Sequence, residues 1–138
     1  MRTAEGKRAA ASPATSSSVR SLSAATRVAE RLLSRMHGEL QHVDRPTERV
    51  VCDRCTDRLL DAIGSILVAQ AAHDAPELAI RALDETVRAT REIQWALGWV
   101  RRRRAIVPST YNSLVVGLNV VARRLEEAKR DIARRPGR

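Results

Sequence analysis

Aromatic residues are nearly absent from this chain of 138 residues, which has two Trp, one Tyr and no Phe. Small β-domains rely on aromatic and β-branched residues in alternating strand patterns, and no such pattern occurs here. Ala, Leu, Val, Arg and Glu dominate instead. The composition therefore predicts a single all-α domain with an aliphatic core.

Long apolar runs are also lacking, since none reaches the ~18 to 20 residues that a membrane span needs. The N-terminal "MRTAEGKRAAASPATSSSVRS" has no hydrophobic segment typical of secretion. Its scattered Arg in an Ala- and Ser-rich setting is shared by organellar transit peptides, but it has almost nothing to bury. We therefore predict a disordered tail over residues 1–20 and a cytoplasmic protein without a membrane partner.

Cysteine is limited to one pair, Cys52 and Cys55 in "CDRC". A structural zinc site needs four ligands, and the other candidates are His37, His42 and His73, of which His42 could approach across a turn. No fourth ligand is evident, and a redox motif would need a βαβ setting that is absent. Two cysteines three residues apart on a helix are predicted to fill the core, and we expect no metal or other cofactor.

Catalytic motifs are missing as well. Asp53, Asp57 and Asp61 form a ladder at helical spacing, but a di-iron bundle would need Glu-x-x-His motifs on facing helices. Arg54 and Arg58 interleave with the ladder, which indicates a charge-balanced, solvated face. Neither a nucleophile elbow nor a glycine-rich phosphate loop occurs, so we predict that the protein is not an enzyme.

What the chain does have is helical periodicity. Apolar residues at steps of three or four predict four helices, spanning about residues 21–43, 48–72, 76–102 and 110–133. Short Pro-containing connections between long helices predict an up-down-up-down antiparallel four-helix bundle over 21–133, followed by a basic tail at 134–138. Thr47, Asp74 and Ser109 are predicted to be N-caps.

Each helix has a predicted core stripe. The stripes are Ala25, Ala29, Leu32, Met36, Leu40 and Val43; Val51, Cys55, Leu59, Ile63, Ile66 and Leu67; Ala79, Leu83, Val87, Thr90, Ile93, Leu97 and Val100; and Leu114, Leu118, Val121, Leu125, Ala128 and Ile132. Apolar residues beyond these stripes are Val50, Leu60 and Val68 on the second helix and Val115, Val116 and Val120 on the fourth. Such surplus predicts burial on more than one side, in an inner position or at a contact between subunits.

Positive charge is concentrated in the second half of the chain. The net charge is +9 and the isoelectric point is near 11.2. Residues 1–74 carry 11 basic and 9 acidic groups, against 14 and 7 in residues 75–138. This asymmetry favours a polyanionic partner, nucleic acid before an acidic membrane.

The densest run is "RRRR", Arg101–Arg104, at the end of the third helix. One or two cations there would serve the helix dipole; a nuclear signal and a merely solubilising role are alternatives. Four exceed what capping requires, so we predict phosphate contacts that carry little sequence information, to RNA, DNA or a hybrid. The predicted contact residues are Arg81, Arg88, Arg91, Arg101, Arg102, Arg103, Arg104, Arg123, Arg124, Lys129 and Arg130. Trp95 and Trp99 are candidates for stacking on bases.

Residues 26–130 resemble a known family. Helix order, spacing and hydrophobic register, with "PTER" at 46–49, "REIQWALGW" at 91–99 and "VVARRL" at 120–125, are similar to the accessory variability determinant proteins of diversity-generating retroelements. The related four-helix proteins of ribosomal-RNA intervening sequences are also similar.

The resemblance implies a non-enzymatic bundle that assembles as a pentamer and binds nucleic acid through a basic surface. It also implies a reverse transcriptase as partner, which such a protein helps to copy template RNA into mutagenised cDNA. The surplus apolar faces would then form subunit contacts. The alternative is a structural or protein-binding bundle without a nucleic-acid role.

Overall fold

The computed structural model describes residues 13–72 and 74–134, with side chains from residue 18 onward. Four α-helices account for nearly all of them: α1 (Pro13–Leu40), α2 (Pro46–Ala71), α3 (Pro76–Arg102) and α4 (Pro108–Ala133). No strand occurs within these two ranges. The predicted all-α four-helix bundle is confirmed.

Each helix packs against the next along the chain, and α4 also packs against α1, which closes the bundle. Because the helices alternate in direction, the α1–α2 and α3–α4 turns lie at one end of the bundle. The α2–α3 turn lies at the other end. This arrangement brings the Arg101–Arg104 run next to the residues that connect α1 to α2.

All four helices begin at a proline. Proline suits the first helical position, because its missing N–H would have no intrahelical partner there and its φ is already helical. The N-caps are Arg45, Ala75 and Val107, and none of them makes a side-chain capping hydrogen bond. The predicted caps Thr47, Asp74 and Ser109 were wrong.

The first helix differs most from its predicted bounds. It begins at Pro13 rather than at residue 21 and ends at Leu40, so residues 13–20 of the predicted tail are helical. Residues 18, 22 and 25 continue the buried stripe toward the N-terminus, and small residues had hidden this periodicity. The rest of the predicted tail, residues 1–12, lies outside the described residues, as do residues 135–138.

Aliphatic side chains form the core, as predicted. The stripes of α1, α3 and α4 are buried at every predicted position. In α2, Cys55, Leu59, Ile63 and Ile66 are buried, whereas Val51 is half-buried and Leu67 is 50% exposed. Full burial of one such side chain stabilises the fold by about 1.5–3 kcal/mol.

The two cysteines belong to this core. Cys52 and Cys55 are both buried and form no disulfide. Burial raises the pKa of both thiols, that of Cys55 to about 12. The thiols are therefore protonated at neutral pH, and they pack as small apolar groups.

Polar side chains connect the helices at their edges. The Arg35 guanidinium of α1 donates to the carbonyl oxygen (3.0 Å) and hydroxyl oxygen (2.8 Å) of Ser113 on α4. Arg49 of α2 donates to the carbonyl oxygens of Leu40 (2.8 Å) and Val43 (3.1 Å). Arg49 thereby holds the last residue of α1 and the turn that follows it against the start of α2.

Candidate nucleic-acid interface

The Arg101–Arg104 run terminates α3 in a Schellman motif. The amide of Ala105 donates to the Val100 carbonyl (3.1 Å), and the amide of Arg104 donates to the Arg101 carbonyl (2.8 Å). Arg104 occupies the left-handed position of this motif, with φ 61°, where glycine is the usual residue. A bulky residue there costs about 1–2 kcal/mol, and strain of this kind is often found at functional sites.

Arg103 differs from its neighbours in the run because it has a carboxylate partner. Its Nε donates to Oε2 of Glu48 over 2.7 Å, and its guanidinium lies 5.0 Å from the centre of the Trp99 ring. Glu48 is a buried carboxylate, with 3% of its side chain exposed. The backbone carbonyl of Arg103 accepts a hydrogen bond from Arg45, which also lies 4.0 Å from the Glu48 carboxylate.

This cluster of Arg45, Glu48, Trp99 and Arg103 joins the α3–α4 turn to the start of α2. The hydrogen bond from Arg103 is the main reason why the pKa of Glu48 lies below its usual value. A charged Glu48 therefore favours the folded turn. Arg103, a predicted nucleic-acid contact, therefore also holds the turn, while 52% of its side chain stays exposed.

The other three arginines of the run point outward. All are exposed, and none has a carboxylate partner among the described residues. Arg101 lies over the Tyr111 ring at 5.2 Å, which restricts its side chain without neutralising its charge. The turn thus presents the cations of Arg101, Arg102 and Arg104 to solvent.

A second set of cations lies along α3. Arg81, Arg88, Trp95 and Arg102 recur every seven residues and are all exposed. Seven residues are nearly two helical turns, so these side chains share one face and follow each other at about 10.5 Å. The stripe runs for about 31 Å, from one end of the bundle to the other.

The neighbouring helix extends this surface. Gln94 of α3 donates to Asn119 of α4 over 2.7 Å. Arg123 and Arg130 follow Asn119 at helical spacing, and both are exposed, so they lie on the same side of α4. We call this surface the α3/α4 face, and its members are Arg81, Arg88, Arg91, Trp95, Arg102, Arg123 and Arg130.

Acidic residues neutralise part of this face. Lys129 lies between α3 and α4 and makes ion pairs with Asp84 and with Glu126 (3.3 Å). The hydrogen bond to Asp84 contributes most to raising the pKa of Lys129. Arg88 pairs with Glu85 at 3.1 Å. Asp84 lies between Arg81 and Arg88 in the sequence, but its ion-pair partner is Lys129.

The predicted contact residues therefore do not form a single cluster. Arg124 lies seven residues after Gly117 and seven before Asp131, and both of these face α1. Arg124 accordingly lies on the α1 side of α4, away from Arg123. The Arg101–Arg104 run also divides into two groups. Arg103 binds Glu48, whereas the other three arginines have no carboxylate partner among the described residues.

Sequence reasoning missed Glu48, although a signal was present. Glu48 lies four and seven residues before Cys52 and Cys55, on the stripe that continues to Leu59. An acidic residue on a core stripe needs a cationic partner, but the sequence offered many candidates. The partner, Arg103, is 55 residues away.

The structure does not bring the candidate metal ligands together. Cys52 and Cys55 point into the core, whereas His37 and His42 are exposed; His73 lies outside the described residues. Among residues 13–72 and 74–134, no three His, Cys, Asp or Glu side chains are placed to hold a metal ion. In the same part of the chain, no helix is long and apolar enough to cross a bilayer.

Comparison with known proteins adds no assignment, because no protein-family model, curated protein or solved structure matches the chain.

Proposed function

We propose that this protein is a non-enzymatic, nucleic-acid-binding four-helix bundle. The α3/α4 face supports this proposal best. Five of its arginines have no ion-pair partner among the described residues: Arg81, Arg91, Arg102, Arg123 and Arg130. Unpaired guanidinium groups spread over about 31 Å suit a long polyanion better than a compact ligand.

Arginine is suited to this task, because its planar group binds phosphate through two parallel hydrogen bonds. Contacts of this kind position a backbone and do not read bases. The α3–α4 turn adds Arg101 and Arg104 at one end of the face. The cations therefore favour binding that depends on charge and little on sequence.

We further propose that the protein self-associates through apolar residues of α2. Leu60, Leu67 and Val68 are each at least 50% exposed and recur at helical spacing. The α1/α2 side of the bundle lies opposite α3 and α4, so contacts between copies there leave the α3/α4 face open. In such an assembly each copy adds its own cations, and avidity strengthens binding.

The resemblance to accessory variability determinant proteins supplies the proposed biological setting. The protein would assist a retroelement reverse transcriptase in copying template RNA into cDNA, and the assembly would be a pentamer. The exposed arginines and the exposed apolar strip are compatible with this role. Co-purification with a retroelement reverse transcriptase is the direct test of that partner.

The nucleic-acid role is tested by two charge-matched variants. Arg81→Ala/Arg102→Ala removes two cations from the α3/α4 face. Arg27→Ala/Arg31→Ala removes two exposed cations from α1 and leaves the same net charge. RNA binding is measured by fluorescence anisotropy from low to moderate salt, and helicity by circular dichroism.

The proposal expects log K to fall linearly with log salt, with a slope of about −0.7 to −0.9 per phosphate contact. The α3/α4 variant should reduce the steepness by about 1.4 to 1.8, while the α1 variant keeps the wild-type slope. Equal slopes for the two variants would contradict the assignment of this face. Absence of binding by the wild type would contradict the function.

A protein-binding bundle without a nucleic-acid role is a second candidate, favoured by the same α2 strip. Leu60 and Leu67 could receive a helix from a different protein. This candidate expects a protein partner to bind while neither RNA nor DNA is retained. Replacing both leucines with Ser would then abolish binding of that partner.

A further inference from the structure

The most exposed large apolar side chain described is Trp95, with 71% of its surface accessible. It lies in the middle of the α3 stripe, between Arg88 and Arg102. Trp99, four residues later, is half-buried and covered by Arg103. One indole therefore has a covering partner, whereas the other presents its ring to solvent among cations.

We infer that the α3/α4 face selects single-stranded nucleic acid, with the Trp95 ring stacking on an unpaired base. This inference rests on the proposed nucleic-acid function and names its substrate class. In a duplex both faces of each base are covered by neighbouring bases, so an indole cannot reach them. A single strand exposes base faces, and aromatic side chains bind these without regard to sequence.

The spacing of the face fits this mode of binding. Arg88 and Arg102 each lie about 10.5 Å from Trp95 along α3, so cations flank the ring on both sides. Arg91 lies one turn before Trp95, and Arg123 lies across the groove on α4. A strand that follows the stripe can hold phosphates at the arginines while one base turns onto the indole.

The acidic side chains nearest the face are engaged with other cations. Asp84 and Glu126 are engaged with Lys129, nearer the other end of the face. Glu92 is bound to Arg58 on the α2 side of α3 at 2.9 Å. Arg88 pairs with Glu85, whereas Arg91 and Arg102 have no ion-pair partner among the described residues. The neighbourhood of Trp95 thus combines an apolar ring with two unpaired cations, which is the combination found in sequence-independent single-strand binding.

The test compares Trp95→Leu with Trp95→Phe in the full chain. Leu keeps an apolar side chain without a ring, and Phe keeps a ring. The ligands are a single-stranded RNA and a single-stranded DNA of about 12 nucleotides, together with a duplex of the same length, all at one salt concentration. We expect Trp95→Leu to bind the single strands about 5- to 150-fold more weakly, Trp95→Phe to stay close to wild type, and duplex binding to be unchanged.

A spectroscopic readout locates the contact. In Trp99→Phe, Trp95 is the one remaining tryptophan of the chain, and a stacked base should quench its fluorescence. Titration with the single strand should quench this emission, whereas the duplex should leave it nearly unchanged. Trp95→Phe, which keeps Trp99, serves as the matched control and should show little quenching.

Three results would overturn the inference. In the first, Trp95→Leu binds the single strands as tightly as wild type and the binding still depends on salt. This result would contradict stacking on Trp95 but not the nucleic-acid function. Equal loss of duplex binding would remove the selectivity. A fall in native mass on changing Trp95 to Leu would assign the ring to a contact between copies.

Discussion

The side chain of Arg103 reaches across the end of the bundle and binds Glu48 with a separation of 2.7 Å between Nε and Oε2. This contact links the end of α3 to the first turn of α2, and the Trp99 ring lies against the same guanidinium. One member of the arginine run thereby has a carboxylate partner, although 52% of its side chain stays exposed. The contact holds the α3–α4 turn against α2, and Arg101, Arg102 and Arg104 lie at this turn.

Glu48 should give the fold a specific dependence on pH. Its pKa is lowered in the folded state, mainly by Arg103, so its ionisation stabilises the fold fully above the ordinary value of 4.5. That contribution is lost as the pH falls through the folded-state value. Glu48→Gln should be less stable than wild type at pH 7, and the difference should narrow below about pH 4.5.

Urea unfolding at several pH values measures this difference. Asp57→Asn is the control, because Asp57 is exposed and has no ion-pair partner among the described residues. Its free energy of unfolding should stay close to that of wild type throughout. A gap between Glu48→Gln and wild type that does not change with pH would contradict the role of the charge.

Substitutions of the adjacent residues Arg102 and Arg103 should have different effects, one mainly on RNA binding and the other mainly on the stability of the fold. Arg103→Ala leaves the Glu48 carboxylate without its closest partner and should destabilise the fold more than Arg102→Ala does. Arg102→Ala removes an exposed cation and should change stability by less than about 0.5 kcal/mol while weakening RNA binding. Thermal unfolding and anisotropy measured on both variants check this division. The reverse pattern would place Arg103 at the nucleic acid.

The left-handed backbone at Arg104 predicts that glycine substitutions at Arg104 and Arg102 change the stability of the fold in opposite directions. Arg104→Gly should stabilise the fold by about 1 kcal/mol, because glycine adopts this conformation without steric cost. Arg102→Gly, inside the last turn of α3, should destabilise it by about 1 kcal/mol. Both variants lose one cation, so both should bind RNA more weakly. The denaturant midpoints of the two variants measure their stabilities. A shift of both midpoints in the same direction would contradict the strain at Arg104.

Two helical glycines should also respond in opposite directions. A Cβ at Gly117 would lie 2.6 Å from Cδ1 of Leu32, whereas a Cβ at Gly64 would meet no atom within 4 Å. Gly64→Ala should therefore stabilise α2 by about 0.4–1 kcal/mol. Gly117→Ala should cost about 1–3 kcal/mol unless Leu32 shifts. Unfolding curves for the two variants provide the measurement, with each acting as the control for the other.

The exposed apolar strip of α2 should govern the assembly state. Leu60→Ser/Leu67→Ser should lower the native mass, because both side chains are half-exposed in the monomer and contribute little to its core. Helicity by circular dichroism should remain unchanged. Leu78→Ser, on α3 and 48% exposed, is a matched control that leaves this strip intact. A wild-type protein that is monomeric at high concentration would contradict the proposal.

The sequence predicted the fold well, because the core depends on spacing alone. The stripe from Leu114 to Ile132 was correct at every position, since apolar side chains at steps of three and four can be buried together only on a helix. The helix starts were less well predicted. Proline marks the first turn, and the polar residues beside it, such as Thr47 and Ser109, were mistaken for caps.

The candidate site was predicted only in part. That Arg101, Arg102 and Arg104 are exposed follows from a charged run at the end of a helix. The position of Arg103 does not, because it depends on a carboxylate brought near by the antiparallel packing of distant helices. The separation of Arg123 from Arg124 is likewise invisible in the local sequence, since adjacent residues on a helix point about 100° apart.

The pairing of the first and last helices has a consequence for synthesis of the chain. Arg35 of α1 meets Ser113 of α4 across 78 residues, so the closing partner of α1 leaves the ribosome after α1, α2 and α3. Until then the inner sides of α1 and α3 lack one neighbour, and water reaches the leucines that α4 will cover. The bundle therefore cannot close until α4 has left the ribosome, and a nascent chain without α4 exposes apolar surface to chaperones and proteases.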